Sequence, residues 1–277
     1  MNSFNITSLG FKQFSRYLES SCGIVLAENK QYLVQCRLAK VMSENSYSDL
    51  EQLVSAMALP SGRMLKDQVV DAMTTNETLW FRDSHPYEVL IKKIFPELMN
   101  NSTSHIRVWS AACATGQEPY SISMVAQEFV EANPSARGAK ISIVATDISS
   151  TALGLAKKGE YELFALGRGL SKRRQEKFFS KVKEGVWQVN QNVRACVLFK
   201  GINLLESYGM LGKLDLVFCR NVLIYFSTEL KKVILQKIHA QLKTGGYLML
   251  GASESLPDLS DKFEMIHCKP GIVYKAK

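Results

Sequence analysis

The chain has 277 residues, of which 46% are hydrophobic, enough for one large domain or two smaller ones. No run of about 18 apolar residues occurs, which excludes a typical membrane-spanning helix. The N-terminus, MNSFNITSLGFKQF, lacks the basic start and apolar block of a secretion signal. These features predict a cytoplasmic protein that does not insert into a membrane.

Six cysteines are scattered without a close pair and lie mostly in apolar runs, which predicts reduced, buried side chains. The four histidines also lack ligand spacing, so we expect no metal site. The formal net charge is +8, and residues 157–200 alone carry 11 Lys and Arg against 4 Glu, or +7. Such an excess is typical of a solvated face, or it steers an acidic partner such as nucleic acid or an acidic protein surface.

Residues 8 to about 73 have the apolar spacing of four amphipathic helices. On the second helix, Lys30, Arg37 and Lys40 share one face, which is either a solubilising stripe or a docking face for an acidic helix. The following segment, TTNETLWFRDSHPY (74–87), sets polar residues among aromatics. This pattern predicts either a segment that closes over a site or a linker packed by its own aromatics.

A predicted buried strand from Ile106 to Ala112 runs into small residues, and a helix is expected from about Glu118. This order is typical of the mononucleotide-binding corner of an α/β sheet, although an ordinary strand-to-helix turn would look similar. The turn has one glycine, Gly116, which argues against NAD or FAD. No glycine-rich loop ends in Lys-Ser or Lys-Thr, which argues against a nucleoside triphosphate. Glu118 instead favours a phosphate-free ligand with a cationic head, such as S-adenosylmethionine.

A second strand is predicted over residues 140–146, followed by Asp147 about 30 residues past the first turn. An acid in that position can accept hydrogen bonds from both ribose hydroxyls, or it can cap a following helix. Next to the first turn, the ribose role is favoured.

Residues 157–200 are predicted to form a basic insertion, with a helix over 171–182 and a hairpin of 185–190 with 193–200. The sheet is then expected to resume and to end in a reversed pair, which indicates an open α/β sheet. The expected later elements are strands at 198–204, 214–219 and 246–250, a helix at 228–242, and a closing hairpin of 263–267 with 272–274 joined by Lys269-Pro270-Gly271.

Six segments occur in the order and at roughly the spacing found in bacterial chemotaxis receptor methyltransferases, the CheR family: TNETLWFRD, SAACATGQEPYS, ATDIS, NLLE, FCRNVLIYF and LMLGASESL. The resemblance covers nearly the whole chain. It implies an α/β fold, a Rossmann-like class I S-adenosylmethionine-dependent methyltransferase sheet with an N-terminal all-helical domain and a small antiparallel β insertion. The implied domains are 1–73 (helical), 74–86 (a linker that contributes to the cofactor site) and 87–277 (methyltransferase, with the insertion at about 157–200).

The resemblance also implies the reaction. The family transfers a methyl group from S-adenosylmethionine to glutamate carboxylates on the cytoplasmic helices of methyl-accepting chemotaxis receptors, leaving S-adenosylhomocysteine. A glutamate is ionised at neutral pH, so no general base is needed.

Family positions carry over to ten residues. By resemblance, Asn76, Thr78 and Arg82 line the methionine end of the cofactor, and Glu118 contacts it, by our assignment at the ammonium. Asp147 contacts the ribose, Asn203 and Leu204 lie near the adenine, and Arg220 and Asn221 form the wall after the fourth strand. Arg82 and Tyr225 are the candidate catalytic residues, because both face the reacting centre and could orient the carboxylate.

One departure concerns receptor tethering. Family members that tether to a receptor's C-terminal pentapeptide have a longer glycine-rich turn in the insertion, whereas SKVKEGVWQV has only Gly185. We therefore expect no pentapeptide tether.

Two other functions are alternatives. An RNA or DNA methyltransferase is disfavoured because no Asn-Pro-Pro-Tyr or Asp-Pro-Pro-Tyr segment follows the fourth strand, so no nucleic-acid partner is expected. A non-catalytic adapter that binds S-adenosylmethionine is disfavoured because both Arg82 and Tyr225 are present.

Overall fold

The computed structural model describes residues 4–100, 105–256, 258–269 and 271–277. The start of the N-terminal segment and Pro270 of the expected Lys269-Pro270-Gly271 turn lie outside these ranges. None of the helices in the described ranges is long and apolar enough to cross a membrane.

The described N-terminal residues, 4–73, contain four α-helices, as predicted from the spacing of apolar residues. They are α1 (Ser8–Cys22), α2 (Gln31–Glu44), α3 (Leu50–Ala58) and α4 (Arg63–Met73). Thr7 and Asp49 cap α1 and α3 by accepting backbone N–H groups, and α1 ends at Gly23 in the left-handed conformation. The buried faces share one apolar core, in which Phe14 and Leu38 are fully buried.

A segment without regular secondary structure, residues 74–84, leads to a continuous helical stretch. This stretch consists of α5 (His85–Val89), one π-helical turn (Leu90–Ile94) and α6 (Phe95–Asn100). The segment is fixed to the rest of the protein by Trp80, whose ring packs edge-on against Tyr161 and Phe179 at 4.8 and 5.2 Å between ring centroids.

Among the described residues from 105 onward there are ten strands in two sheets and six further α-helices. The strands are β1 (His105–Ala111), β2 (Lys140–Asp147), β3 (Glu160–Glu162), β4 (Phe179–Lys183), β5 (Val186–Val189), β6 (Val197–Gly201), β7 (Leu214–Cys219), β8 (Leu242–Leu250), β9 (Phe263–His267) and β10 (Ile272–Ala276). The helices are α7 (Gln117–Ala132), α8 (Ser150–Lys158), α9 (Leu163–Leu166), α10 (Lys172–Phe178), α11 (Gln191–Arg194) and α12 (Thr228–Gln241).

The large sheet has the strand order β6-β2-β1-β7-β8-β10-β9. The first five of these strands are parallel, and β10 pairs antiparallel with both β8 and β9. Alternate residues of each strand enter two separate cores, so that Val108 and Phe218 lie in one and Trp109 and Val217 in the other. The chain reverses its direction of winding between β1 and β7. Ligands bind beside such a reversal, at the carboxyl ends of the strands.

The insertion differs from its prediction in two places. The basic helix expected over 171–182 ends at Phe178, because Phe179 begins β4 and packs against Trp80. The hairpin is formed by β4 and β5 around the Glu184-Gly185 turn, with β3 on the other side of β5, and not by 185–190 with 193–200. Residues 197–201 instead form β6, which pairs parallel with β2 in the large sheet and buries Phe199 against Tyr120.

Candidate active site

A cavity of about 320 Å³ lies at the carboxyl ends of β1, β2, β6 and β7, a size that suits a drug-sized ligand. All ten residues predicted from the sequence line this one cavity: Asn76, Thr78, Arg82, Glu118, Asp147, Asn203, Leu204, Arg220, Asn221 and Tyr225. Their proximity is a structural finding, whereas their individual roles remain predictions.

The turn after β1 brings bare backbone to the cavity. Ala112 and Ala114 have left-handed φ values of 56° and 48°, which are uncommon for residues with a side chain. Gly116, with φ 95°, is the N-cap of α7, and a Cβ there would lie 3.0 Å from Cβ of Ala156. Such strained backbone is concentrated at functional sites. The small residues therefore permit a conformation that larger ones would oppose.

Asp147 ends β2 as a buried carboxylate, 6% exposed. Its Oδ2 accepts the N–H of Ala114 at 2.8 Å and its Oδ1 accepts the N–H of Ser149 at 2.9 Å. Burial raises the pKa of Asp147, and these backbone donors oppose the rise. Each oxygen retains a lone pair for a ligand hydroxyl. The α8 cap, the alternative role considered for Asp147, is supplied by the Ser149 side chain.

Glu118 and Arg220 form the charged wall of the cavity. The Arg220 guanidinium, whose side chain is 1% exposed, binds Oε2 of Glu118 at 3.2 Å and Oδ2 of Asp83 at 2.6 Å. Glu118 also accepts the Ser110 hydroxyl at 2.8 Å. Burial raises the pKa of Glu118, while Arg220 and the Ser110 hydroxyl lower it. Arg220 is thus held inside the protein. Glu118 binds its guanidinium and also lines the cavity.

Arg82 sits in a strained turn of the 74–84 segment. Phe81, Asp83 and Ser84 have φ values of 50°, 66° and 40°, a cluster that persists only when surrounding contacts fix it. Arg220 supplies two of these contacts, to Asp83 and to the carbonyl oxygen of Arg82. Within the described ranges, no side chain or carbonyl binds the half-buried Arg82 guanidinium. It is therefore available to an anionic group.

The N-terminal helices also reach the cavity, through residues 21–25. Asn203 donates its amide to the carbonyl oxygen of Ser21 at 2.7 Å, and the N–H of Val25 binds the carbonyl oxygen of Tyr225 at 3.0 Å. Gly23 lies so close that a Cβ would be 2.7 Å from Leu230 and 2.8 Å from Phe226. The Asn203 side chain is therefore committed to structure, since its Oδ1 also accepts the N–H of Leu205.

Sequence patterns did not predict several residues of the site. Most of them lie where the N-terminal helices meet the cavity or next to the strained turn that contains Arg82. Cys22, Ile24 and Met73 line the cavity from the helical part. Arg174 of α10 lies over the Phe81 ring at 3.9 Å. No local pattern marks these residues, because their positions follow from contacts between distant segments.

Two sequence expectations outside the cavity change. Arg37 donates to the carbonyl oxygens of Met73 and Thr74 and to the Thr75 hydroxyl, so it anchors the start of the 74–84 segment and is not free for docking. Three of the six cysteines are buried, two are partly buried, and Cys36 is exposed, contrary to the expectation that they are buried.

The chemistry of the lining fits a phosphate-free cationic nucleoside. Its ionisable side chains include three acids, Glu77, Glu118 and Asp147, and two arginines, one of which is held by carboxylates. Aliphatic side chains suited to a planar base include Ile24, Ile202 and Leu204. In the described part of the chain, no group of three or more His, Cys, Asp or Glu side chains could hold a metal ion.

Comparison with known proteins identifies the class to which this fold and cavity belong. Residues 76–272 match the family model described as CheR methyltransferase, SAM binding domain, and residues 9–74 match that of the CheR methyltransferase all-alpha domain. The chain is therefore an S-adenosylmethionine-dependent methyltransferase, and S-adenosylmethionine is its cofactor. When bound, this cofactor supplies a methyl group on a positively charged sulfur.

Curated relatives extend the match over the full length. The chain is 52% identical to chemotaxis protein methyltransferase Cher2 of Pseudomonas putida over 98% of both chains, and 48% identical to chemotaxis protein methyltransferase 1 of Vibrio cholerae over 100% of both. It is 32% identical to a chemotaxis protein methyltransferase of Borreliella burgdorferi over 91% of this chain and 90% of that one. The protein belongs to the CheR family of chemotaxis methyltransferases.

Proposed function

We propose that this enzyme methylates glutamate carboxylates on the cytoplasmic helices of methyl-accepting chemotaxis receptors, giving glutamate methyl esters. The observation that carries the proposal is that Arg82 and Tyr225 both line one cavity. In the described residues neither the Arg82 guanidinium nor the Tyr225 hydroxyl has a polar partner, so both can bind an incoming carboxylate. Arg220, the other arginine of the cavity, is already held by Glu118 and Asp83.

The proposed role of the protein is to orient its two substrates. The acceptor carboxylate is ionised at neutral pH, because a glutamate has a pKa of about 4.3. Arg82 and Tyr225 would align one carboxylate oxygen with the methyl group, while Glu118, Asp147, Asn76 and Thr78 hold the donor. Such alignment can supply about 7–11 kcal/mol toward lowering a reaction barrier.

Ion pairs made by basic residues of the insertion support an acceptor other than nucleic acid. Three of its cations are bound to acids of this chain, in the pairs Arg168–Glu77, Arg174–Glu128 and Lys177–Glu131. The positive charge available to a phosphate backbone is correspondingly smaller than the composition indicates. The remaining exposed lysines of the insertion suit an acidic helix surface.

We also propose that the enzyme works without a receptor pentapeptide tether. The β4–β5 connection is only the Glu184-Gly185 turn. Recognition then has to come from the methylated region of the receptor itself.

The test incubates the enzyme with radiolabelled S-adenosylmethionine and a receptor cytoplasmic fragment, and then treats the product with alkali. Label that alkali releases identifies a methyl ester, and we expect most of the label to be of this kind. The controls are transfer RNA and plasmid DNA as acceptors. Stable label on either nucleic acid, with none on the receptor, would contradict the proposal.

The tether is tested separately, with receptor fragments that contain or lack the last five residues. We expect the KM for the fragment to be equal within twofold. Micromolar binding of the free pentapeptide would reverse this part of the proposal.

A further inference from the structure

The motif LMLGASESL contributes no residue to the cavity lining, although the family resemblance depends partly on it. It comprises the end of β8 and the turn that follows, and Glu254 lies in that turn. Glu254 does not line the cavity. Its carboxylate instead binds the neighbouring 220–226 loop, which follows β7.

Glu254 accepts three backbone N–H groups. Its Oε2 binds the N–H of Asn221 at 2.7 Å and that of Gly251 at 2.8 Å, and its Oε1 binds the N–H of Leu223 at 2.8 Å. Hydrogen bonds to an ionised acceptor are roughly twice as strong as those between neutral groups. One side chain therefore joins the loops after two adjacent strands.

The 220–226 loop needs an external support. Asn221 has a left-handed φ of 58°, and the short 3₁₀ turn Leu223–Tyr225 has no side-chain cap of its own. The N–H groups at the start of such a turn lack intrahelical partners. Glu254 supplies one for Leu223 and also fixes the strained Asn221 peptide.

The fit around this carboxylate is close. A Cβ on Gly251 would lie 2.7 Å from Oε2 of Glu254 and 2.9 Å from the Asn221 nitrogen. The two loops approach so closely at Gly251 that a larger residue would not fit there. The same loop carries Arg220, which binds Glu118 and Asp83, and Tyr225 at the cavity.

We propose that Glu254 is a positioning residue for methyl transfer, which holds the 220–226 loop so that Arg220 and Tyr225 keep their places at the cavity. The methyl-transfer part of this inference rests on the proposed function. The donor-binding part rests only on the family and the geometry.

The test is Glu254→Gln, which keeps the size of the side chain but turns an NH₂ group toward backbone donors. We expect kcat for receptor methylation to fall about tenfold and the Kd for S-adenosylhomocysteine, from calorimetry, to rise at least threefold. Glu264→Gln is the matched control, because Glu264 is an exposed acid of β9, and it should leave both constants within twofold of the wild type. Circular dichroism at the assay temperature checks that each variant is folded.

A double variant separates positioning from a general structural effect. If Glu254 acts through Tyr225, Glu254→Gln combined with Tyr225→Phe should have a kcat within about twofold of the worse single variant. If the double variant instead shows the product of the two single losses in kcat, Glu254 does not act through Tyr225. If Glu254→Gln does not fold, Glu254→Asp keeps the charge with a shorter reach and should still lose at least threefold in kcat.

The measurement of S-adenosylhomocysteine binding tests the role of Glu254 even if the proposed acceptor is wrong. Failure of the wild type to label the receptor refutes the proposed function alone. An unchanged Kd for S-adenosylhomocysteine in folded Glu254→Gln would show that Glu254 does not position the 220–226 loop for cofactor binding, whatever the acceptor.

Discussion

The N-terminal helices and the carboxyl edge of the sheet are built in different ways. The helices have regular backbone and share an apolar core that includes Phe14 and Leu38, and α1 and α3 have side-chain caps of their own. Of the eight non-glycine residues with positive φ in the described chain, Ala112, Ala114 and Asn221 line the cavity. Three more, Phe81, Asp83 and Ser84, lie beside the lining residue Arg82 in the sequence. The comparison indicates that apolar burial stabilises the helices, whereas polar contacts between distant loops hold the cavity in a strained shape.

The largest expected effect is in the helical core. Phe14→Ala removes a fully buried ring from α1, so the free energy of unfolding in urea should fall by about 3–5 kcal/mol. Phe164→Ala is the matched control, because Phe164 is 78% exposed and should change the stability by less than about 0.5 kcal/mol. Similar losses in the two variants would contradict the assigned core.

The next largest effect is on donor binding. Asp147→Ala removes the proposed ribose acceptor, and each hydrogen bond to a charged group contributes about 1.5–3 kcal/mol. We expect the Kd for S-adenosylhomocysteine to rise by two orders of magnitude or more, measured by calorimetry on protein shown to be folded. Asp67→Ala, at an exposed acid of α4, serves as control. Unchanged affinity would refute the ribose assignment.

Tyr225→Phe should affect the reaction more than binding. Loss of one hydrogen bond to the acceptor predicts a roughly tenfold fall in kcat, with the donor Kd unchanged within twofold. Tyr32→Phe, on the exposed face of α2, is the matched control. If the chain were a non-catalytic adapter, its output would survive the Tyr225 substitution.

A smaller effect is expected from pH. Because burial raises the pKa of both Glu118 and Asp147, these two carboxylates take up protons at a higher pH than exposed carboxylates do. These two groups add stability to the ligand-free protein as the pH falls through their raised pKa values. Donor affinity should weaken over the same range, since the donor is expected to need both carboxylates. Calorimetry from pH 7.5 to 5 measures this, and Glu118→Gln should make the dependence shallower.

The smallest effect concerns steering by the insertion. The KM for an acidic receptor fragment should rise severalfold between low and high salt, because salt screens charges on exposed surfaces. Lys172→Glu, at an exposed position of α10, should reduce that dependence. A flat response to salt would remove electrostatic steering from the account.

Sequence patterns predicted the elements whose burial is periodic, but not the pairings that depend on distant segments. The four N-terminal helices and β1, β2 and β7 follow from apolar spacing. The β4–β5 pairing was missed because Phe179 leaves the helix to pack on Trp80, about 100 residues earlier in the chain.

The candidate site could be predicted in part for similar reasons. The turn near Gly116 and the acid Asp147 stand out locally, whereas roles for Arg82 and Tyr225 came only from family resemblance. Contacts such as Asn203 with Ser21 join residues 182 positions apart, and no local pattern encodes them.

The bond between the Val25 N–H and the carbonyl oxygen of Tyr225 has a practical consequence. A catalytic fragment trimmed to begin after residue 73 would lose the Val25 N–H, the Ser21 carbonyl oxygen that binds Asn203, and the side chains of Cys22 and Ile24. The donor cavity would then open to water along the face that these residues cover. We therefore expect an engineered minimal enzyme to need the helices as well as the sheet.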